Sequence, residues 1–242
     1  MNCGKNPKDF QNNSLPIKKY SKSFLNFNRR WRLHRPTLVA LFYSLGILDK
    51  GFVSLGETSE GMSWETTWGV ILYQNKDTPD VINLLLSKQK EICNLPPLYL
   101  DTEDLVENRP SLEPETQYLY SNSYFSVVSE TNFYQAYQPG RFLSEKVFKP
   151  IAMNHPFIIV SVPNTLSLLR EIGYKTFSPW INESYDEENN DNKRLLMIAE
   201  ETKRLSNLNE NEIIEFINNV QDICIHNRYV LVNKNIYHKE LN

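Results

Sequence analysis

Two apolar segments, each followed by a polar turn and a helical pattern, constrain the fold of this chain most strongly. Residues 124–128 end at the turn Ser129, Glu130, Thr131 and Asn132, and residues 156–160 form the second segment. A helical pattern at residues 144–153 lies between them. Short apolar strands that alternate with helices are typical of a parallel sheet covered by helices. The polar turns then lie at the edge where such sheets bind anionic ligands.

The same alternation occurs earlier in the chain. Residues 23–27 and 52–55 are apolar and predict two strands, and Leu38, Leu41 and Phe42 recur at helical spacing between them. Pro36 suits a first helical turn, where a backbone N–H has no intrahelical partner. The separation of the two strands matches the crossover of a parallel pair, so residues 23–55 predict one β-α-β unit.

The remaining segments complete a predicted α/β fold, namely a Rossmann-like parallel sheet flanked by helices, with C-terminal helices. We expect a flexible tail at residues 1–20, the Rossmann-like domain at 21–208 with an irregular insertion at 57–122, and a helical segment at 209–242. Inside the insertion, residues 62–73 are aromatic-rich and fit a strand or a loop, and residues 80–93 have helical spacing. The last predicted elements are a helix at 164–172, a short strand at 175–177, an acidic loop at 181–192, and helices at 193–205 and 210–226, with a continuation toward Tyr237 as the alternative end of the second.

Composition argues against several classes of function. The formal net charge of −3 provides no basic field for nucleic acid, which is therefore not an expected partner. Cys3, Cys93 and Cys224 are far apart and predict neither a disulfide framework nor a zinc site. No stretch approaches the roughly 20 apolar residues of a membrane span, and residues 1–16 lack the apolar run of a secretory signal. We expect a cytoplasmic protein.

A basic cluster follows the first predicted strand. It contains Asn28, Arg29, Arg30 and Arg35, together with Arg32 and His34. Guanidinium groups beside the free N–H groups of a helix start can hold a pyrophosphate in bidentate geometry. A solvated helix start and a nucleic-acid contact are the alternatives. Because cations oppose the dipole at a helix N-terminus, their presence favours a function.

A second cluster spans the turn and helix start after residue 128. Glu130 with Asn132 suits a general base or the binding of sugar hydroxyls, and the alternative is a turn or helix cap. Ser144 is a predicted N-cap, and Glu145 suits the first helical turn. Lys146 does not suit that turn unless it faces an anion, although an ordinary capped helix remains the alternative. The acidic run at residues 183–191 lacks the spacing of metal ligands, so no metal site is predicted.

These motifs, in this order, resemble the C-terminal, nucleotide-sugar-binding half of GT-B glycosyltransferases and are most similar to the α1,3-fucosyltransferase family. That family has a strand ending in a Ser-Asn turn with an Arg on the next helix. Later it has a strand ending in Glu-Asn-Ser and a helix opened by Thr-Glu-Lys that leads to a Pro-Val strand. The matching stretches lie within residues 23–180 and are Phe27-Asn28-Arg29-Arg30 with Arg35, Ser129-Glu130-Thr131-Asn132, Ser144-Glu145-Lys146 and Pro156-Phe157-Ile158-Ile159. The pattern Ser-Glu-Lys-x-Phe-Lys-Pro-Ile before His-Pro-Phe also resembles uncharacterised proteins of viruses and phages.

The resemblance implies a single GT-B-type half that binds a nucleotide-diphosphate sugar, for example a GDP-sugar, and transfers the sugar without a metal or other cofactor. It implies a catalytic Glu130 that faces the transferred sugar. It also implies a donor-binding set, in which the cations face the diphosphate and Glu145 faces the ribose: Asn28, Arg29, Arg30, Arg35, Asn132, Glu145 and Lys146.

GT-B enzymes carry the acceptor on a second domain, whereas the first predicted strand here begins near residue 23. We therefore expect the acceptor site to come from residues 57–122 or from a second subunit. The alternative function is a non-catalytic module that binds a nucleotide sugar or a partner and has lost the acceptor domain.

Overall fold

The computed structural model of the chain describes residues 19–28, 30–56, 63–96, 98, 100, 114–136 and 140–240, apart from the side chains of residues 114, 115 and 234–240. Its four-stranded sheet has the order β2-β1-β3-β4, with parallel pairing throughout. The strands are β1 (Phe24–Asn26), β2 (Gly51–Val53), β3 (Phe125–Ser129) and β4 (Phe157–Val160). The predicted α/β class, a Rossmann-like parallel sheet flanked by helices, is confirmed.

Helices surround the sheet and connect its strands. In the described part of the chain they are α1 (His34–Ser44), α2 (Trp64–Gln74), α3 (Pro79–Ser87), α4 (Gln89–Cys93), α5 (Pro114–Ser121), α6 (Glu145–Ala152), α7 (Thr165–Glu171), α8 (Asp191–Ser206) and α9 (Glu210–Glu240). The predicted β-α-β unit is confirmed as β1-α1-β2. Helix α1 ends before Gly46, whose φ of 70° is a backbone conformation that glycine adopts without steric cost.

The main hydrophobic core includes residues of β1, α1 and β3. Phe24 packs edge-on against Phe42, with ring centroids 5.1 Å apart, and also contacts Phe125. Helix α1 is buried from His34 to Phe42, because α3 and α8 pack on it as well. Leu25 belongs to a separate, smaller cluster with residues of α5. Successive strand residues point to opposite faces, so both faces of the sheet are covered.

In the segment at residues 62–73, Met62 lies outside the described residues and residues 64–73 belong to α2, so the interpretation of the segment as a strand or loop is wrong. Ser63 and Thr66 form a reciprocal capping box at the start of α2. Trp64, Trp68 and Ile71 are buried, and their spacing of four and three residues places them on one helical face. The aromatic content that suggested a strand therefore forms the packing surface of a helix.

Two further boundaries differ from prediction. The single helix predicted at residues 80–93 breaks at Lys88, which separates α3 from α4. The strand predicted at residues 175–177 is absent from the described structure. There the amide of Asn227 accepts from the Lys175 N–H at 2.7 Å and donates to the Lys175 carbonyl at 2.9 Å. A side chain of α9 thus satisfies the backbone groups that a neighbouring strand would have satisfied.

The C-terminal helices extend further than predicted. Helix α8 begins at Asp191, where the Asn190 side chain accepts hydrogen bonds from the Asn192 and Lys193 N–H groups. Helix α9 packs against α6 and continues to Glu240. None of the helices in the described ranges combines the length and the apolar character that crossing a membrane would require.

Candidate functional site

The candidate site lies where the strand order of the sheet reverses. From β1 the chain first adds β2 on one side and then crosses to β3 on the other. In open α/β sheets, ligands bind outside the carboxyl ends of the two strands at such a switch point. Here those ends are Asn26 to Asn28 after β1 and Ser129 to Glu130 after β3. The sequence places most of the predicted site residues at these two ends.

Two buried amides join the three strand ends. The Asn26 Nδ2 group donates to the Val127 carbonyl at 2.6 Å and to Ser129 Oγ at 3.2 Å, across to β3. The Asn28 side-chain Nδ2 donates to Asn26 Oδ1. The backbone N–H of Asn28 donates to Ser54 Oγ at 3.0 Å, and Ser54 follows β2. The Asn28 Oδ1 atom is buried and accepts no hydrogen bond within the described structure. The amides therefore form a fixed polar floor beneath the switch point.

The Arg35 guanidinium connects the start of α1 to the end of β3. Its Nη1 donates to the Arg30 carbonyl at 2.9 Å, and its Nη2 donates to the carbonyls of Ser129 at 3.1 Å and Glu130 at 3.2 Å. Burial, with the charge of Arg32 as the next cause, lowers the pKa of Arg35 to about 10. In this geometry the Arg35 guanidinium donates hydrogen bonds to backbone carbonyls. Its role as a diphosphate ligand remains a prediction.

His34 is part of the same constellation, although the predicted donor-binding set does not contain it. Its Nε2 lies 3.0 Å from the Glu130 carbonyl, and because a carbonyl only accepts, Nε2 carries the hydrogen. The ring stacks on Phe133 with centroids 5.0 Å apart. Burial and then the charge of Arg35 lower the pKa of His34 to about 3. The histidine is therefore neutral and fixes one tautomer at the end of β3.

The buried neutral His34 makes stability depend on pH. Its pKa is lower in the folded chain (about 3) than the ordinary value of 6.5, so between these values the unfolded chain binds more protons. This contribution to stability is complete above pH 6.5 and is lost as the pH falls toward 3. The slope is at most about 1.4 kcal/mol per pH unit. We expect His34→Gln, whose Nε2 can donate to the same carbonyl, to be less sensitive to acid than the wild type.

Urea unfolding of both proteins at a series of pH values measures this effect. The difference between the two free energies cancels the titration of other groups, such as Asp186, whose pKa is raised by burial. Equal slopes for the two proteins between pH 6.5 and 4 would contradict the assignment of His34 as neutral.

Glu130 is enclosed rather than open to a ligand. The residue has an exposed fraction of 0%. Its Oε1 accepts from the Ser144 N–H at 3.1 Å, and its Oε2 accepts from Ser144 Oγ at 2.5 Å. The end of β3 is thereby tied to the residue that caps α6. The catalytic role predicted for Glu130 stays a prediction, and in this geometry its carboxylate contacts protein groups.

Glu145 and Lys146 open α6 beside this contact. The Lys146 Nζ lies 3.0 Å from Ser144 Oγ, 3.0 Å from Glu145 Oε1 and 3.4 Å from Thr131 Oγ1. The exposed fractions of the side chains are 70% for Glu145 and 29% for Lys146. Burial by itself would raise the pKa of Glu145, but the hydrogen bond from Lys146 and the neighbouring lysine charges lower it overall. A charged pair is thus available to a ligand at this edge.

The other predicted residues lie around these groups. Arg30 is exposed after β1, and its carbonyl receives Arg35. The Asn132 carbonyl accepts from Ser161 Oγ at 3.3 Å, which links the turns after β3 and β4. Arg29 lies outside the described residues. Among the described residues, no group of three or more His, Cys, Asp or Glu side chains could hold a metal ion.

A large cavity lies at the opposite edge of the sheet. It has a volume of about 1210 Å³ and is lined by residues that precede the strands, such as Ser23, Lys50 and Tyr124, and by one side of α9. None of the predicted site residues lines it. This cavity lies at one edge of the sheet, whereas strand order and the convergence of charged groups select the other edge. We assign the candidate site by the second criterion, because hydrogen-bond donors and positive charge held at a strand end are what binds an anionic ligand.

Comparison of the chain with protein-family models, curated proteins and solved structures finds no match. The fold and the site therefore define the chain as a Rossmann-like α/β protein with a charged, polar switch point.

Proposed function

We propose that the switch point between β1 and β3 binds a nucleotide-diphosphate sugar, and that the chain is a metal-independent glycosyltransferase of fucosyltransferase-like type. The observation that carries the proposal is the position of the Lys146 ammonium at the start of α6, beside the end of β3. A cation in the first turn is unfavourable for the helix alone. A bound anion makes this arrangement favourable, because the ammonium and the helix N-terminus both attract the anion.

The neighbouring groups fit the rest of such a donor. Glu145 is the exposed carboxylate next to Lys146, and a carboxylate can accept hydrogen bonds from both hydroxyls of a ribose. The polar floor of Asn26 and Asn28 lies at the adjacent strand end. Transfer would then depend on cations that stabilise the departing diphosphate, which is an electrostatic form of catalysis. A carbohydrate acceptor, held by residues 57–122 or by a second subunit, belongs to the same proposal.

The enclosure of Glu130 favours a second candidate, a nucleotide-sugar-binding module without transferase activity. A general base must reach the proton that it removes, directly or through one water. Both Glu130 carboxylate oxygens accept hydrogen bonds from Ser144 instead. Release of nucleoside diphosphate from a bound nucleotide sugar, in the presence of a panel of carbohydrate acceptors, separates the candidates. Binding without any release would select the module.

Lys146→Ala is expected to weaken nucleotide binding by about tenfold to a hundredfold, the strength of a hydrogen bond to a charged group. Calorimetric titration with GDP, UDP, CDP and ADP and their sugars, without metal and then with Mg²⁺, measures the effect. Thermal shift gives a second readout, since ligand at 100 times its dissociation constant stabilises by about 2.7 kcal/mol.

Lys193→Ala is the matched control for this variant. Lys193 also lies in the first turn of a helix, α8, and its ammonium is 2.7 Å from Glu188. Its side chain is exposed and pairs with Glu188 rather than with a residue of the predicted donor-binding set, so its loss is expected to leave nucleotide affinity unchanged. If Lys146→Ala and Lys193→Ala bound each nucleotide equally well, the proposed donor site would be wrong.

A further inference from the structure

We propose that Glu130 is a positioning residue, which sets the place of the Lys146 ammonium through the Ser144 hydroxyl and does not touch the substrate. The inference rests on the proposed function, in which Lys146 meets the diphosphate. It replaces a direct role of Glu130 with an indirect one, and it follows from the directions of four hydrogen bonds.

The direction of the first bond is fixed by chemistry. The Glu130 carboxylate only accepts hydrogen bonds, so Ser144 Oγ must donate its single proton to Oε2 across 2.5 Å. The Ser144 N–H donates to Oε1 at 3.1 Å and holds the carboxylate in the plane of this contact. The hydroxyl proton of Ser144 is therefore directed away from Lys146.

The two lone pairs of the hydroxyl then face Lys146. Ser144 Oγ accepts from the Lys146 backbone N–H at 3.3 Å and from the Lys146 Nζ at 3.0 Å. With one proton donated and two lone pairs used, the hydroxyl has no bonding capacity left. The hydrogen bond to Glu130 therefore fixes the orientation of the Ser144 hydroxyl, and this orientation fixes the position of the Lys146 ammonium. Glu145 Oε1 and Thr131 Oγ1 complete the oxygens around Nζ, and Glu145 is the exposed one that a ligand can displace.

The substitution Glu130→Gln reverses this chain of bonds. The amide nitrogen that it introduces would donate to Ser144 Oγ, so the hydroxyl would rotate and point its proton at Lys146 Nζ, where a lone pair had accepted a hydrogen bond. The Lys146 ammonium would lose Ser144 Oγ as an acceptor and would face the partial positive charge of the hydroxyl hydrogen. We expect Glu130→Gln to weaken nucleotide binding by about tenfold although Lys146 is unchanged.

A double-mutant cycle with Ser144 tests the route of this effect. The affinity for GDP, UDP, CDP and ADP is measured by calorimetry in Glu130→Gln, Ser144→Ala and the double variant. We expect each single variant to bind about tenfold more weakly and the double variant to bind no more weakly than the single ones. Ser144→Thr retains the hydroxyl and the cap, so Glu130→Gln is expected to keep its full effect in that background.

The carbon-13 signal of Lys146 Cε, assigned by its absence in Lys146→Arg, provides a readout that needs no ligand. We expect this signal to shift in Glu130→Gln and in Ser144→Ala, with no additional shift in the double variant. A purely structural role of Glu130 would lower the melting temperature and leave the signal in place. Losses of affinity that multiply in the double variant, or a fall in turnover with unchanged affinity, would overturn the inference.

The two proposals fail in different ways. If the wild-type chain binds none of the nucleotides, the proposed function fails, and the Lys146 signal still decides whether Glu130 acts through Ser144. If nucleotides bind but the signal is the same in wild type and Glu130→Gln, the positioning role fails and the donor site stands.

Discussion

Arg194→Ala is expected to lower the free energy of unfolding by about 3–5 kcal/mol, the cost of removing one partner of a buried ion pair. Arg194 is 1% exposed and is the largest fully buried side chain of the described structure. Its guanidinium donates to the carbonyls of Ser161, Glu188 and Phe133 at 2.8–2.9 Å and to Asp191 at 2.5 Å. Denaturant unfolding measures the loss.

The large effect follows from where these acceptors lie. Ser161 follows β4, and Phe133 follows β3 and also stacks on His34. The guanidinium carbon lies 4.5 Å from the centre of the Phe133 ring. Truncation removes this donor from the buried carbonyls of Ser161 and Phe133 and from the part-buried carbonyl of Glu188, and it removes the contact with the Phe133 ring. The turn after β3 is therefore expected to loosen together with the fold.

Arg204→Ala provides the matched control on the same helix. Arg204 pairs with Glu201 three residues earlier, as Arg194 pairs with Asp191, but its side chain is half-exposed. Glu201 is buried, but solvent screens the half-exposed Arg204 guanidinium, so we expect Arg204→Ala to cost less than Arg194→Ala. Similar losses in the two variants would show that burial of Arg194 does not determine its contribution.

The positions of the strands and of most helices along the chain could be predicted because their signals are local. Apolar runs, helical spacing and caps such as Ser144 act within a few residues, and the structure has β1, α1, β3, α6 and β4 at the expected places. The two misassigned segments differ in cause. The backbone of Lys175 is satisfied by Asn227, 52 residues away, which no local pattern indicates. Helix α2 does carry local signals, namely the Ser63–Thr66 capping box and the helical spacing of Trp64, Trp68 and Ile71, but its aromatic content suggested a strand.

The same distinction applies to the candidate site. The sequence places Glu130, Glu145 and Lys146 near the ends of strands, because turn chemistry and strand periodicity indicate those ends. It does not indicate that Ser144 engages both oxygens of Glu130, since that contact depends on the path of the intervening chain. His34 was placed in the basic cluster but not in the donor-binding set, because its partner, the Glu130 carbonyl, lies 96 residues away. Histidine before a helical run carries no distinctive pattern of its own.

Arg35→Ala is the second variant with a large expected effect, a loss of about 3–5 kcal/mol in the free energy of unfolding. The variant removes donors from the carbonyls of Arg30, Ser129 and Glu130, all near the switch point. It also removes the cation whose charge interacts with the buried Glu130 carboxylate. Urea unfolding at pH 7 measures the loss.

Three further variants separate the contributions of Arg35. Arg32→Ala removes an exposed arginine of the same segment and is expected to change stability by less than about 0.5 kcal/mol. Arg35→Lys keeps the charge but not the planar guanidinium that reaches three carbonyls, so most of the loss of stability is expected to persist.

The Glu130→Gln background tests the charge interaction of Arg35. There the buried carboxylate charge is gone, and Arg35→Ala should cost less stability than in the wild type, because coupled residues are not additive. An equal cost in both backgrounds would mean that Arg35 acts through its hydrogen bonds to the backbone alone.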